Sequence, residues 1–237
     1  MVGRGTGRTM TRAGCAAIAA TLAVAALTAG CSSSSSKTPA APPPNPAFVK
    51  RGIVFTLEPG GHPRAVVVPA PFLACTAAKL PAAARPQVAA VTSADKVPGN
   101  VAVYVVHAAN ACNRALLLTS LERSMTDTTS GLAVSAAAAA CASPKALAAL
   151  LRLDPTKVAA NTGNNAAVRA LVSSMDGCAP FQAFVAAALR QSIPGITPAQ
   201  LACVGSTMKT KTWTAMSAGE AAFEVDLQHA VQACGVH

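Results

Sequence analysis

The stretch VRALVSSMDGCAPFQAFVAAALR, residues 168–190, carries the pattern on which the fold turns. Val168, Leu171, Val172 and Met175 fall at the i, i+3, i+4, i+7 spacing of one helix face. Phe181, Phe184, Val185, Ala188 and Leu189 do the same a little further on. Between the stripes lie Asp176, Gly177, Cys178 and Pro180, which interrupt the periodicity. Two amphipathic helices meeting at a cysteine are the expected unit.

Working outward, the same arrangement is hinted at elsewhere. Cys75 and Cys112 are 37 residues apart, as are Cys141 and Cys178. Residues 105–112 (VVHAANAC) align with 171–178 (LVSSMDGC), and each segment then runs toward an Ala-rich stretch. This reads as an internal repeat of about 66 residues, built from Ala-rich helical hairpins.

Six cysteines, Cys75, Cys112, Cys141, Cys178, Cys203 and Cys234, follow residue 31. An even count in an exported chain predicts three disulfides. A metal site would need close pairs such as C-x-x-C, and none occurs, so no metal or other cofactor is expected. Two pairings respect the repeat. In one, 112–141 and 178–203 staple hairpins while 75–234 ties the ends. In the other, neighbours pair as 75–112, 141–178 and 203–234. The first is preferred, because it cross-links each hairpin and closes the domain. Each loop would contribute about 3–4 kcal/mol by restricting the unfolded chain.

Upstream, residues 53–57 (IVFTL) and 65–69 (AVVVP) are β-branched runs around EPGGHPR at 58–64, which predicts a short N-terminal β-hairpin. Residues 101–109 are β-branched too, but Asn100 offers a cap and the repeat equates them with a helix. Helix starts are expected at Thr197, with Pro198 and Gln200 completing a capping box, and at Ser217, with Glu220 three residues on. Ser143-Pro144 and Asp154-Pro155 read as two further N-caps. The fold class expected is mainly α, disulfide-linked, with a β-hairpin appendage.

The N-terminus reads as an address. Arg4, Arg8 and Arg12 precede an uncharged run from Ala13 to Gly30. Ile18, Leu22, Val24 and Leu27 are its strongly apolar members, and Ala and Thr dominate the rest. The run ends in LTAGC, residues 27–31, followed by five serines at 32–36 and the Pro-rich 37–46. This resembles the prolipoprotein signal of bacterial lipoproteins, with small residues before the lipobox cysteine. Thr28 stands where Leu is most usual, and Leu27 lies one step earlier. The resemblance covers only the targeting segment. It implies a diacylglyceryl anchor on Cys31, cleavage after Gly30 and an extracytoplasmic, membrane-attached protein. Cys15 has only basic sequence before it and is a poor acceptor. The competing readings are an uncut N-terminal helix and ordinary signal cleavage nearby. Richness in Ala, Gly and Pro suits a high-GC Gram-positive source. The expected organisation is signal 1–30, Ser/Pro-rich tether 31–47, and a single domain 48–237.

Of 19 basic residues, Arg4, Arg8 and Arg12 leave with the signal, so 16 face 9 acids and the net charge is +7. The cations are scattered, which argues against nucleic acid and for lipid headgroups or acidic wall polymers. With one Trp, one Tyr and six Phe, the core is poor in bulk and calls for cross-links.

Sequence motifs for chemistry are missing. There is no G-x-S-x-G elbow. Gly60-Gly61 lacks the Lys and helix of a phosphate loop. His107, in an apolar segment, reads as a histidine satisfied by a backbone carbonyl, and Asp226 with His229 as a surface ion pair. Asn161 to Asn165 reads as a helix connector. Lys209, Lys211 and Trp213, the only Trp, lie in a basic, polar stretch between two expected helices and form a candidate contact patch. No catalytic residue is assigned. The expected role is a non-enzymatic envelope interaction protein, whose partner is another envelope protein or an anionic wall component. A carrier of a lipid or other apolar ligand is the alternative, and an envelope enzyme ranks below both.

Overall fold

The computed structural model describes residues 43–57, 68–127 and 134–236. The signal, Cys31 and most of the expected tether lie outside them, as do residues 58–67. Among the described residues the chain forms eleven α-helices and no strand. They are α1 Pro46–Leu57, α2 Ala70–Lys79, α3 Arg85–Ala89, α4 Gly99–Cys112, α5 Arg114–Thr126 and α6 Ala136–Arg152. Then follow α7 Ala166–Ser173, α8 Phe181–Ser192, α9 Pro198–Thr207, α10 Trp213–Ala218 and α11 Glu220–Ala233.

The mainly helical class holds, and the hairpin does not. Its first run, 53–57, is the last part of α1. The reason is tertiary: Val49, Ile53 and Leu57 recur every fourth residue and are all buried in the core. Gly52 lets that face approach α3, since a Cβ there would sit 1.9 Å from the Val88 carbonyl oxygen. Burial of one helical stripe outweighs β-branched propensity, which is worth only tenths of a kcal/mol per residue.

The repeat fails as well. Residues 105–112 are continuous helix to Cys112, whereas α7 stops at Ser173 and 174–178 turn, with Gly177 at φ +74°. The disulfides join neighbours: Cys75–Cys112, Cys141–Cys178 and Cys203–Cys234, with Cα–Cα distances of 5.9, 5.6 and 5.8 Å. The preferred 112–141, 178–203, 75–234 pattern is therefore replaced by the other. The placement has a simple rule. Cys75, Cys141 and Cys203 are each the sixth residue of their helix. Each is tied to a cysteine at or beyond the end of α4, α7 or α11.

Other expected helix starts divide. Thr197 caps α9 in a full capping box: its hydroxyl accepts from Gln200 N–H at 3.2 Å, and its own N–H donates to Gln200 Oε1 at 2.9 Å. Ser217 caps nothing; Gly219 precedes α11 and the Ser217 hydroxyl donates back to Thr214 O. Asp154 organises a turn, accepting from Thr156 N–H at 3.0 Å, and no helix follows. Pro144 lies inside α6, whose true cap is Ser135, accepting from Ala138 N–H. Ser143 is fully buried and donates to Glu122 Oε1 across to α5. Asn100 is not a cap either; it sits inside α4 and donates to Gln87 Oε1 at 2.6 Å.

Two apolar clusters form the interior. The first gathers α1 to α5 around Ile53, Leu80, Val88, Val101, Val105 and Leu117. The second gathers Met175, Phe181, Val185, Val204, Trp213 and Phe223. α6 serves both: Ala139, Ala142 and Ala146 enter the second cluster, Leu147 and Leu150 the first. A helix apolar on two sides is what an Ala-rich sequence can supply without strain.

Candidate functional site

The segment 208–214 between α9 and α11 is built from the expected patch, and two carboxylates hold it. Asp226, on α11, accepts from the N–H groups of Lys209 at 2.8 Å and Thr210 at 2.7 Å. Asp176, in the turn after α7, accepts from the N–H of Trp213 at 2.9 Å and of Thr214 at 3.1 Å, and from the Thr214 hydroxyl. Burial pushes the Asp226 carboxyl up, but the amide donors of Thr210 and Lys209 outweigh it and hold it below the usual range. Asp226 is thus a backbone clamp, and the expected ion pair with His229 gives way to it.

Trp213 is not part of an exposed patch. It is 1% exposed, with its ring 5.5 Å edge-on to Phe181 and 4.6 Å from Phe184, and its Nε1–H donates to Ala179 O at 2.8 Å. A small aromatic core claims the largest side chain available. Lys209 and Lys211 remain exposed. The Lys211 ammonium donates to Gly205 O at 2.6 Å and Ser206 O at 3.2 Å, closing the C-terminal end of α9.

Beside Lys211 runs an open groove of about 500 Å³ between α8 and α9. Its walls are Gln182, Ala183, Ala186, Leu201, Ala202, Gly205 and Ser206. No acid occurs from Gly177 to Gly219, while Arg190, Lys209 and Lys211 do. Asp176 and Asp226 both accept from backbone amides of the 208–214 segment. The groove is open and rimmed by the polar side chains of Gln182, Ser206 and Lys211.

The remaining titratable groups stand apart. His107 Nε2 lies 3.4 Å from Leu150 O, the carbonyl partner expected of it. His62 and His237 lie outside the described residues. Among the described residues no three His, Cys, Asp or Glu side chains come together to hold a metal ion. Nor is any described helix long and apolar enough to cross a membrane. Asp176 and its partners escaped sequence reading, because no spacing rule links a carboxylate to amides 37 and 38 residues away. No known protein family, curated protein or solved structure matches the chain.

Proposed function

We propose that this chain is a lipid-anchored lipoprotein of the bacterial envelope that works by binding rather than by catalysis. The order of segments carries the reading: basic residues, an uncharged run, LTAGC at 27–31, a Ser/Pro-rich stretch, and a folded domain beginning at Pro46. Cys31 carries a diacylglyceryl group on the extracytoplasmic face. Three disulfides suit the oxidising side of a membrane. The partner is an envelope protein or an anionic wall component, met through the surface that presents Lys209 and Lys211. The groove between α8 and α9 is open and rimmed by Gln182, Ser206 and Lys211, which suits a polar contact better than an apolar cargo.

Mass spectrometry of the membrane-extracted protein tests the anchor. The expected result is an N-terminal Cys31 peptide bearing acyl chains. A peptide that begins elsewhere, or an unmodified Cys31, would overturn it. Cross-linking in cells tests the partner. Adducts that disappear in a Lys209→Glu, Lys211→Glu variant support the assigned surface, and a monomer with no adduct counts against it.

A further inference from the structure

We infer that the exposed edge of α1 docks on an anionic lipid surface, so that the domain lies against the membrane instead of hanging free of it. The inference rests on the anchor reading and deepens it.

Four observations converge on α1. First, its outward side carries an exposed aromatic ring. Phe48 is 47% exposed, and with Val225 it is the large apolar side chain left in solvent among the described residues. Arg51 is exposed beside it and Lys50 is exposed on the same helix, while Val49, Gly52, Ile53 and Leu57 are buried behind. Second, the Arg51 guanidinium sits 4.8 Å over the Phe48 ring, so ring and cation form one amphipathic unit. Aromatic rings and snorkelling cations are the side chains that favour the headgroup region.

Third, the charge is one-sided. The first acid in the whole chain is Glu58; everything before it that carries charge is cationic, including Lys37, Lys50 and Arg51. Nothing on α1 itself repels an anionic surface.

Fourth, the chain length places this edge at the membrane. Fifteen Cα–Cα steps separate Cys31 from Pro46. At a maximum of about 3.3–3.6 Å per step, α1 starts within roughly 50 Å of the anchor however the intervening chain runs. A tether of that reach holds the edge at an effective concentration on the order of millimolar. A contact far too weak to recruit a free protein is then populated. Asn45, whose Oδ1 accepts from Ala47 N–H at 2.9 Å, starts the helix at the point where the chain arrives, so the first turn leads.

The test uses the acylated mature protein in vesicles, with Phe48→Trp as a reporter. Trp213 is buried and serves as an internal reference. Brominated acyl chains should quench the new tryptophan in phosphatidylglycerol vesicles and leave it bright in phosphatidylcholine vesicles. Lys50→Glu with Arg51→Glu should lower the docking equilibrium constant by about thirtyfold or more, at about fivefold per lost cation. Strong salt should reverse docking in the parent. If acylated protein stays attached but the tryptophan is unquenched, or is quenched equally on neutral lipid, docking is wrong and the anchor survives. If the Cys31 peptide carries no acyl mass, the anchor reading fails and the proximity argument falls with it.

Discussion

Gly99 lies directly against Asn165: a Cβ on Gly99 would stand 2.4 Å from the Asn165 Cγ. The asparagine cannot move aside. It is 3% exposed, its Oδ1 accepts from the N–H groups of Ala167 and Val168, and its amide donates to Asn161 O and Gly163 O. Gly99 N–H in turn donates to Asn161 O at 3.0 Å. The loop 161–165 therefore joins the start of α4 to the start of α7. Gly99→Ala should cost about 1–3 kcal/mol by overpacking. Asn165→Ala should cost about 1–2 kcal/mol by loss of the cap. Because the second substitution removes the clash made by the first, the double variant should lose less than the sum of the two. Urea unfolding of all three variants checks this, and simple additivity would refute the contact.

Asp176 should be worth more than its half-exposed position suggests. Asp176→Ala strips the acceptor from Trp213 N–H and Thr214 N–H, at a cost of about 2 kcal/mol. Trp213 emission should shift to the red as α10 loosens from Phe181 and Phe184. Asp176→Asn, which keeps one acceptor, should restore part of both effects. Fluorescence and thermal unfolding read them together.

Two acids of α11, Asp226 and Glu220, should bend the pH profile in opposite senses. Asp226 is held below the usual carboxylate range, so the folded state binds its proton less tightly than the unfolded chain. Its contribution is present above about pH 4 and is lost as pH falls through the lowered value. Glu220 is pushed up, by burial first and by the neighbouring Glu224 charge second, against a hydrogen bond from Asn164. Its ionisation weakens the fold as pH rises from about 4.5 through the raised value. Asp226→Asn should flatten the acid limb of a stability curve, and Glu220→Gln should flatten the fall above it. A profile unchanged by either substitution would contradict the geometry around α11.

Reduction should separate the cross-links cleanly. Loops of 37, 37 and 31 residues each contribute about 4 kcal/mol on the chain-entropy account. Non-reducing peptide mapping should return only 75–112, 141–178 and 203–234. A 112–141 or 75–234 peptide would mean that the helices pair otherwise than described. Paired Cys203→Ser, Cys234→Ser substitution should lower stability without scrambling the other two bridges.

What could be read from the sequence was what local rules govern. The Phe181 to Leu189 stripe and the Thr197 capping box each depend on residues within one or two turns, and both appear as expected. Residues 53–57 were misleading because their β-branched content is a weak preference, overruled by the packing of Ile53 and Leu57 and by the close approach at Gly52. Cysteine spacing could not choose a pairing, since two patterns satisfy it; only the packing of α2 on α4, of α6 on α7 and of α9 on α11 decides. The patch was half legible. Lys209 and Lys211 are exposed, but burial of Trp213 depends on Phe181, Phe184 and Asp176, all far off in sequence.

Pro144 offers a direct test of where a local rule gave out. Had it opened a helix, Pro144→Ala would be neutral or harmful, because proline suits that position. It lies instead at the middle of the 17-residue α6, on the exposed side, while Ala142, Ser143, Ala146 and Leu147 are buried. An interior proline costs about 3 kcal/mol relative to a good helix former, through a missing backbone donor and a steric clash. Alanine gives up some of the stiffness that proline lends the unfolded chain, about 1 kcal/mol. Pro144→Ala should therefore stabilise the protein by about 1–2 kcal/mol, raising the midpoint of chemical unfolding with no change in slope. A loss of stability would place a helix boundary at Ser143 after all, and with it would go the continuous α6 that serves both halves of the core.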